Sequence, residues 1–127
     1  DLFWVIQDKL NRIVGTNRVY DISIKSLEKG SLIVDQEYGK ISPIALEADL
    51  LLLKFAFYTL NVDEVITRTR HDNRKMQSIN ARFGFNQYDS EFRHGVEYWI
   101  SRLNRADYRP EKLNLIIEYW IKRNEHR

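Results

Sequence analysis

From Ile44 to Leu60 the chain is apolar except for a few positions, and Glu47, Lys54 and Tyr58 among these fall at i, i+7 and i+11. On a helix of about 3.6 residues per turn they form one thin stripe, so most of the circumference must be covered by other parts of the fold. That pattern predicts a helix over 44–60 packed on a sheet. Ser42 and Pro43 suit its N-cap and first turn, because proline lacks only an N–H that the first turn leaves unpaired. Asp49 sits off the stripe, near the helix start. Glu47, Asp49 and Lys54 interrupt the run well before the roughly 18 apolar residues of a membrane span.

The flanking segments supply strands. Phe3–Ile6 and Ile13–Tyr20 are β-branched and aromatic runs around a polar stretch, the composition of a hairpin. Asp21–Gly30 reads as a loop or short helix, and Ser31–Val34 as a short apolar strand central in the sheet. Val62–Thr69 alternates as a strand. Asp72 or Asn73 can cap a helix carrying Met76, Ile79 and Phe83 at i, i+3 and i+7, and Gly84 stops it in the left-handed region. Phe85–Tyr88 begins a strand, Arg93-His94-Gly95 is a turn, and Val96–Leu103 is the strand that completes a hairpin. Asp107, Pro110 and Glu111 start a last helix over 109–125, with Leu113, Ile116, Ile117, Trp120 and Ile121 on one stripe that docks or mediates an interface. The predicted order is β-β-β-α-β-α-β-β-α, an α/β fold with a mixed, mostly antiparallel sheet in a single domain of 127 residues.

Composition narrows the chemistry. With 20 basic and 18 acidic residues the chain has no charge excess suited to nucleic acid. There is no Cys, which excludes disulfides, thiolate nucleophiles and Cys-ligated zinc together, and the three His lack ligand spacing, so no metal is expected. A soluble, cytoplasmic protein with no membrane partner is expected. The start at Asp1 rather than Met fits a fragment or a processed form.

Asn73 followed eleven and twelve residues on by Gly84-Phe85, behind a long Glu-Ala-containing helix and a short strand, resembles the GNAT acyl-CoA-dependent N-acetyltransferases. Trp4-Val5-Ile6 and Ile13-Val14-Gly15 are similar to the second and third strands of that fold, and Gly95–Leu103 to its last strand. The family's first strand and first helices have no counterpart before Phe3. Ser42–Ala48 and Phe55-Ala56-Phe57 look most like the branch that acetylates bacterial surface-polysaccharide and flagellin amino sugars, with the ribosomal-protein N-terminal acetyltransferases as the neighbouring branch.

The resemblance implies acetyl-CoA as co-substrate, lying in a V between the strand at Ser31–Val34 and the strand at Val62–Thr69. Ile33 and Val34 would pair with the pantetheine, and a backbone N–H there would polarise the thioester carbonyl. Gln36, Gly39, Lys40, Ile41, Ser42, Ile44 and Ala45 would form the turn and helix start that meet the pyrophosphate, where the helix dipole favours negative charge. Gln36 and Gly39 match the family's loop, whereas Ile41 replaces a small residue and Pro43 offers no N–H. Asn73 matches a position that contacts the pantetheine arm. Asn80 stands where many relatives carry the Tyr that protonates the departing thiolate, and an amide cannot serve as that acid.

Amide formation needs a neutral amine, an oxyanion donor and a route for protons. Glu28, Asp35 and Glu37 flank the strand as candidate bases, with Glu28 put forward; His71 and His94 are lone residues beside loops. Arg68, Arg70, Arg74 and Lys75 form a basic group suited to an anionic acceptor or to a CoA phosphate, partly cancelled by Asp72. Two classes stay open: transfer of acetyl to a small-molecule primary amine such as that of a nucleotide-linked amino sugar, and a non-catalytic module that binds acyl-CoA or a protein. A homodimer through the last helix is also open.

Overall fold

The computed structural model describes residues 2–7, 9–34 and 44–125. Six strands form one sheet: β1 (Leu2–Gln7), β2 (Ile13–Tyr20), β3 (Ser26–Val34), β4 (Glu64–Arg70), β5 (Asn86–Arg93) and β6 (Val96–Asn104). The helices are α1 (Ile44–Lys54), α2 (Arg74–Arg82) and α3 (Pro110–Glu125). The spatial order is β1-β2-β3-β4-β6-β5, with β3 and β4 parallel and every other neighbour antiparallel. This is the expected element order in the expected mixed, mostly antiparallel sheet.

Several boundaries differ from the sequence expectation. β3 begins at Ser26 and not at Ser31, so half of the expected loop is strand. Its Ser-Leu-Glu-Lys-Gly composition reads as a loop because the side chains that make it a strand are charged and find their partners only in the folded protein. The preceding turn is closed by Ser23, whose hydroxyl accepts from the backbone N–H of Lys25 and Ser26. Helix α1 ends at Lys54, and Phe55–Thr59 continue as a wider π-helical turn. Arg105, in the 3₁₀ turn Arg105–Asp107, holds the π-helical turn in place: its Nη2 donates to the carbonyls of Phe57 (2.9 Å) and Val62 (2.7 Å) and to Asn61 Oδ1 (2.8 Å). Both stops expected from the sequence appear as backbone geometry. Gly84 has φ +97°, and His94-Gly95, at +51° and +78°, forms the tight turn between β5 and β6.

Side chains alternate across the strands, and one face carries the core. Val19, Leu27, Val65 and Leu103 from the sheet meet Leu50, Leu53, Ala56 and Phe57 around α1, Phe83 after α2, and Leu113 and Ile117 of α3 in one buried cluster. Leu46 and Ile116 pack against it from the side. Of the expected polar stripe, Glu47 and Lys54 on α1 are half-buried and Tyr58 in the π-helical turn is exposed, with Leu51 also exposed along it.

Tyr108 closes the cluster by stacking on Phe57, with ring centroids 4.7 Å apart. Its hydroxyl is buried with no partner among the described residues. Burial, reinforced by Tyr58 and Glu111, pushes the phenol up to about 12. The folded state thus keeps the proton after the unfolded chain loses it near pH ~10, and bound protons are fewer in the unfolded state throughout that window. Stability present below pH ~10 therefore falls as pH rises toward about 12, by up to roughly 2 to 3 kcal/mol. Urea titrations at about pH 9 and about pH 11 should show this slope in the wild-type protein. Tyr108→Phe should remove it and match or exceed wild-type stability near neutrality, because it deletes an unpaired buried hydroxyl.

Candidate functional site at the parting of two strands

The site begins with a backbone irregularity. Strands β3 and β4 are bonded at Ser26↔Glu64, Leu27↔Val65, Glu28↔Ile66 and Lys29↔Thr67, and no rung between them follows. Both strands nevertheless continue, β3 along β2 to Val34 and β4 along β6 to Arg70. On the β3 side, Thr16 pairs with Ile33 and Arg18 with Gly30, so two residues of β3 oppose the single residue Asn17. An extra residue bends and twists the strand that carries it. The bulge comes directly after the last β3–β4 rung, so the pairing gap begins just past Lys29 and Thr67.

Glu28 and Lys29 are adjacent on β3 and therefore point to opposite faces of the sheet at the apex of this gap. Both are almost completely buried, at 4% and 3% exposure. On one face, Arg68 holds Glu28 through its Oε1. The Arg68 Nε also donates to Glu91 Oε1 at 2.8 Å, and that oxygen lies 2.7 Å from Arg93 Nε in a second ion pair. Glu28 Oε2 is buried and has no donor among the described residues. A buried carboxylate oxygen left without a donor is costly, and such orphans in native structures call for a reason such as a catalytic role. Gly30 shapes the same face: a Cβ there would come within 2.5 Å of the Tyr20 hydroxyl, so the absent side chain is what lets Tyr20 lie over the strand at the mouth of the gap.

On the other face five elements meet around Lys29. Its Nζ donates to Asp49 Oδ2 on α1 (3.0 Å) and to Asn80 Oδ1 on α2 (3.4 Å). Asn80 donates in turn to Thr69 Oγ1 on β4 (3.2 Å), and Asn17 on β2 reaches Asp49 Oδ1 at 3.5 Å. The Phe85 ring centroid lies 5.2 Å from the ammonium, within cation–π range. Asp49, Asn80, Asn17 and Thr69 are all buried. A buried ion pair is a weak stability device, since desolvation offsets much of the attraction, so its retention at this point calls for another reason.

The candidates from the sequence fall into three groups. Glu28 and Asn80 come together at the apex, on opposite sides of the sheet. Ile33 and Val34 close β3 opposite Thr16 and Gly15, and Ile44 and Ala45 begin α1. Gln36, Gly39, Lys40, Ile41 and Ser42, together with the alternative bases Asp35 and Glu37, lie outside the described residues. Asn73 caps α2, its Oδ1 accepting from the Met76 N–H at 3.2 Å.

The expected basic group is divided. Arg68 is committed to Glu28 and Glu91. Arg70 pairs with Asp72, which raises the guanidinium and lowers the carboxyl through their hydrogen bond, both at the surface. Arg74 and Lys75 are exposed, as are His71 and His94.

Lys29 and Asp49 were missed as site residues. The signal for Asp49 was its place off the polar stripe of α1: an acid on the covered side of a helix needs a buried cation. Lys29 carried no such signal while its segment read as a loop. A separate cavity of about 320 Å³ lies between β1, β2 and α1, lined by Trp4, Gln7, Asn17, Glu47, Leu51 and others. Glu28, Lys29 and Asn80 are not among its lining residues. Among the described residues there is no cluster able to hold a metal ion and no helix long and apolar enough to cross a membrane.

Residues 1–86 match the family profile described as an acetyltransferase (GNAT) domain. No curated protein sequence matches the chain. Among solved structures, it is similar to a chimera of the spermidine N-acetyltransferase SpeG from Vibrio cholerae and hSSAT, at 19% identity and TM-score 0.73, covering 84% of this chain and 68% of that one. It is also similar to the Campylobacter jejuni N-acetyltransferase PseH in complex with acetyl coenzyme A, at 20% identity and TM-score 0.63, covering 75% and 62%. A GCN5-related N-acetyltransferase from Brucella melitensis aligns at 18% identity and TM-score 0.72 over 95% of this chain and 56% of its own. At these identities the likeness is one of fold.

Proposed function

Since the chain belongs to the GNAT acetyltransferase family, we propose that it transfers the acetyl group of acetyl-CoA to a primary amine on a small molecule, and that the amine is that of a nucleotide-linked amino sugar. The observation that carries the reading is the parting of β3 and β4 directly beyond Glu28. The thioester would enter the gap between the two strands. Backbone groups of β3 past Gly30, no longer bonded to β4, would face it there. The N-terminus of α1 would face the pyrophosphate, where unpaired N–H groups and the helix dipole favour an anion. Asn73 Oδ1 is engaged in the cap, and its amide N–H₂, without an acceptor among the described residues, would face the pantetheine arm.

In this reading Glu28 takes the proton from the attacking amine, directly or through one water, at its unpartnered Oε2. Arg68 holds the carboxylate in that orientation through Oε1. The acceptor approaches over the Tyr20 and Arg68 face. The fold supports an amine acceptor as well, because SpeG acts on spermidine and PseH is an N-acetyltransferase.

The test is release of CoA thiol by the purified protein supplied with acetyl-CoA and, separately, a nucleotide-linked amino sugar, spermidine and basic N-terminal peptides. Turnover with the amino sugar is expected. Turnover of spermidine or of peptides alone overturns the acceptor and leaves the reaction. Acetyl-CoA binding by calorimetry with no turnover of any amine makes the chain a non-catalytic acyl-CoA module.

A further inference from the structure

We propose that Lys29 is the residue that receives the departing CoA thiolate, a role that rests on the acetyltransferase reading above and assigns its leaving-group side. The argument is geometric. Glu28 and Lys29 occupy the last bonded rungs before the gap and point to opposite faces. A thioester threaded through the gap thus has a carboxylate on the side from which the amine attacks and an ammonium on the side toward which sulfur leaves. An ammonium carries three N–H donors. Two of Lys29's are engaged, by Asp49 Oδ2 and Asn80 Oδ1, and among the described residues no acceptor takes the third.

The neighbours suit a group that must stay charged. Asp49 supplies the counter-charge inside the fold, and the Phe85 ring tolerates a cation without accepting its proton. Asn80 cannot act as an acid, but its carbonyl oxygen aims the ammonium, and its amide is itself oriented by Thr69. The arrangement is a fixed positive donor placed where negative charge develops, in a site screened from water.

The step balances. The amine lone pair forms the C–N bond, and the amine proton passes to Glu28. The C–S bond breaks with its electron pair on sulfur, where the third Lys29 N–H donates a charge-assisted hydrogen bond. The thiolate takes up a proton from solvent as CoA leaves, and Glu28 returns one to solvent.

The test reads ionisation of bound CoA by thiolate ultraviolet absorbance as pH is raised. The thiol of CoA bound to the wild-type protein should ionise at least about one unit below that of free CoA titrated in the same buffer. Lys29→Arg should keep most of that shift. The double variant Lys29→Met/Asp49→Leu removes both charges and leaves no lone buried ion. It should return the thiol to its ordinary value and lower turnover with acetyl-CoA about 10²-fold, with calorimetric affinity for desulfo-CoA unchanged. An unshifted thiol on the wild-type protein overturns the proposal whether or not the double variant folds, and so does wild-type turnover in a folded double variant. In either case continued turnover by the wild-type protein leaves the acetyltransferase reading standing. Failure of the wild-type protein to bind CoA at all overturns both.

Discussion

Glu28→Gln is expected to lower turnover with acetyl-CoA and its amine by about 10²- to 10⁴-fold, the usual contribution of a positioned general base. Affinity for acetyl-CoA should stay within about twofold, because the change lies on the proposed acceptor face and, in that reading, removes an interaction made in the transition state. Gln is nearly isosteric with Glu, and its amide oxygen still accepts from Arg68, so the local hydrogen bond survives. What disappears is the second carboxylate oxygen, Oε2, which is buried without a donor among the described residues. That atom also separates a functional role from a structural one. If Glu28 served only to neutralise Arg68, turnover and thermal stability would fall together. If Oε2 is held free for the amine, turnover falls while the melting temperature holds or rises. Initial rates of CoA release and a thermal melt on the same preparation decide between them, and full activity in a folded Glu28→Gln protein would remove Glu28 from the mechanism.

Phe57→Ala should cost about 3 to 5 kcal/mol of folding free energy, a large share of the roughly 5 to 15 kcal/mol typical of a whole domain. Phe57 is 1% exposed and lies in the core cluster, stacked on Tyr108 and beneath the Arg105 guanidinium at 5.6 Å. Its carbonyl is one of the three groups that Arg105 ties together across the π-helical turn. Truncation therefore leaves a cavity and also loosens the seat of the residue that fixes the end of α1. Phe57→Leu, which keeps most of the volume, should cost well under half as much. Urea unfolding checks both: the midpoint should drop sharply for Ala and modestly for Leu with the slope unchanged. A cost below about 1 kcal/mol for Ala would mean that the turn re-packs and that the core does not depend on it.

Much of the fold was legible because its signals are local. The β5–β6 hairpin follows from a short turn able to take positive φ, the end of α2 from Gly84, its start from the Asn73 cap, and the cover over α1 from a single thin polar stripe. What was not legible depends on distant partners. Lys29 reads as a loop lysine until Asp49, twenty positions on, and Asn80, fifty-one positions on, are brought beside it. The π-helical turn at Phe55–Thr59 has no mark of its own, because the guanidinium that satisfies its carbonyl comes from Arg105. The site was half visible for the same reason. Glu28 and Asn80 could be named one by one, but the statement that they sit on opposite sides of one opening requires the strand that the sequence presents as a loop.

The additional β3 residue opposite Asn17 determines when the sheet opens as well as where. It is written into the chain length between Gly30 and Ile33 and does not wait for a ligand to pry two bonded strands apart. The two strands are already unpaired there in the resting protein, and β3 is braced on one side by the Asn17, Asp49, Lys29, Asn80 and Thr69 chain, which links three strands and two helices. On the proposed reading, a co-substrate entering between the two strands breaks no ladder on arrival, so its binding energy stays available for aligning the reacting atoms.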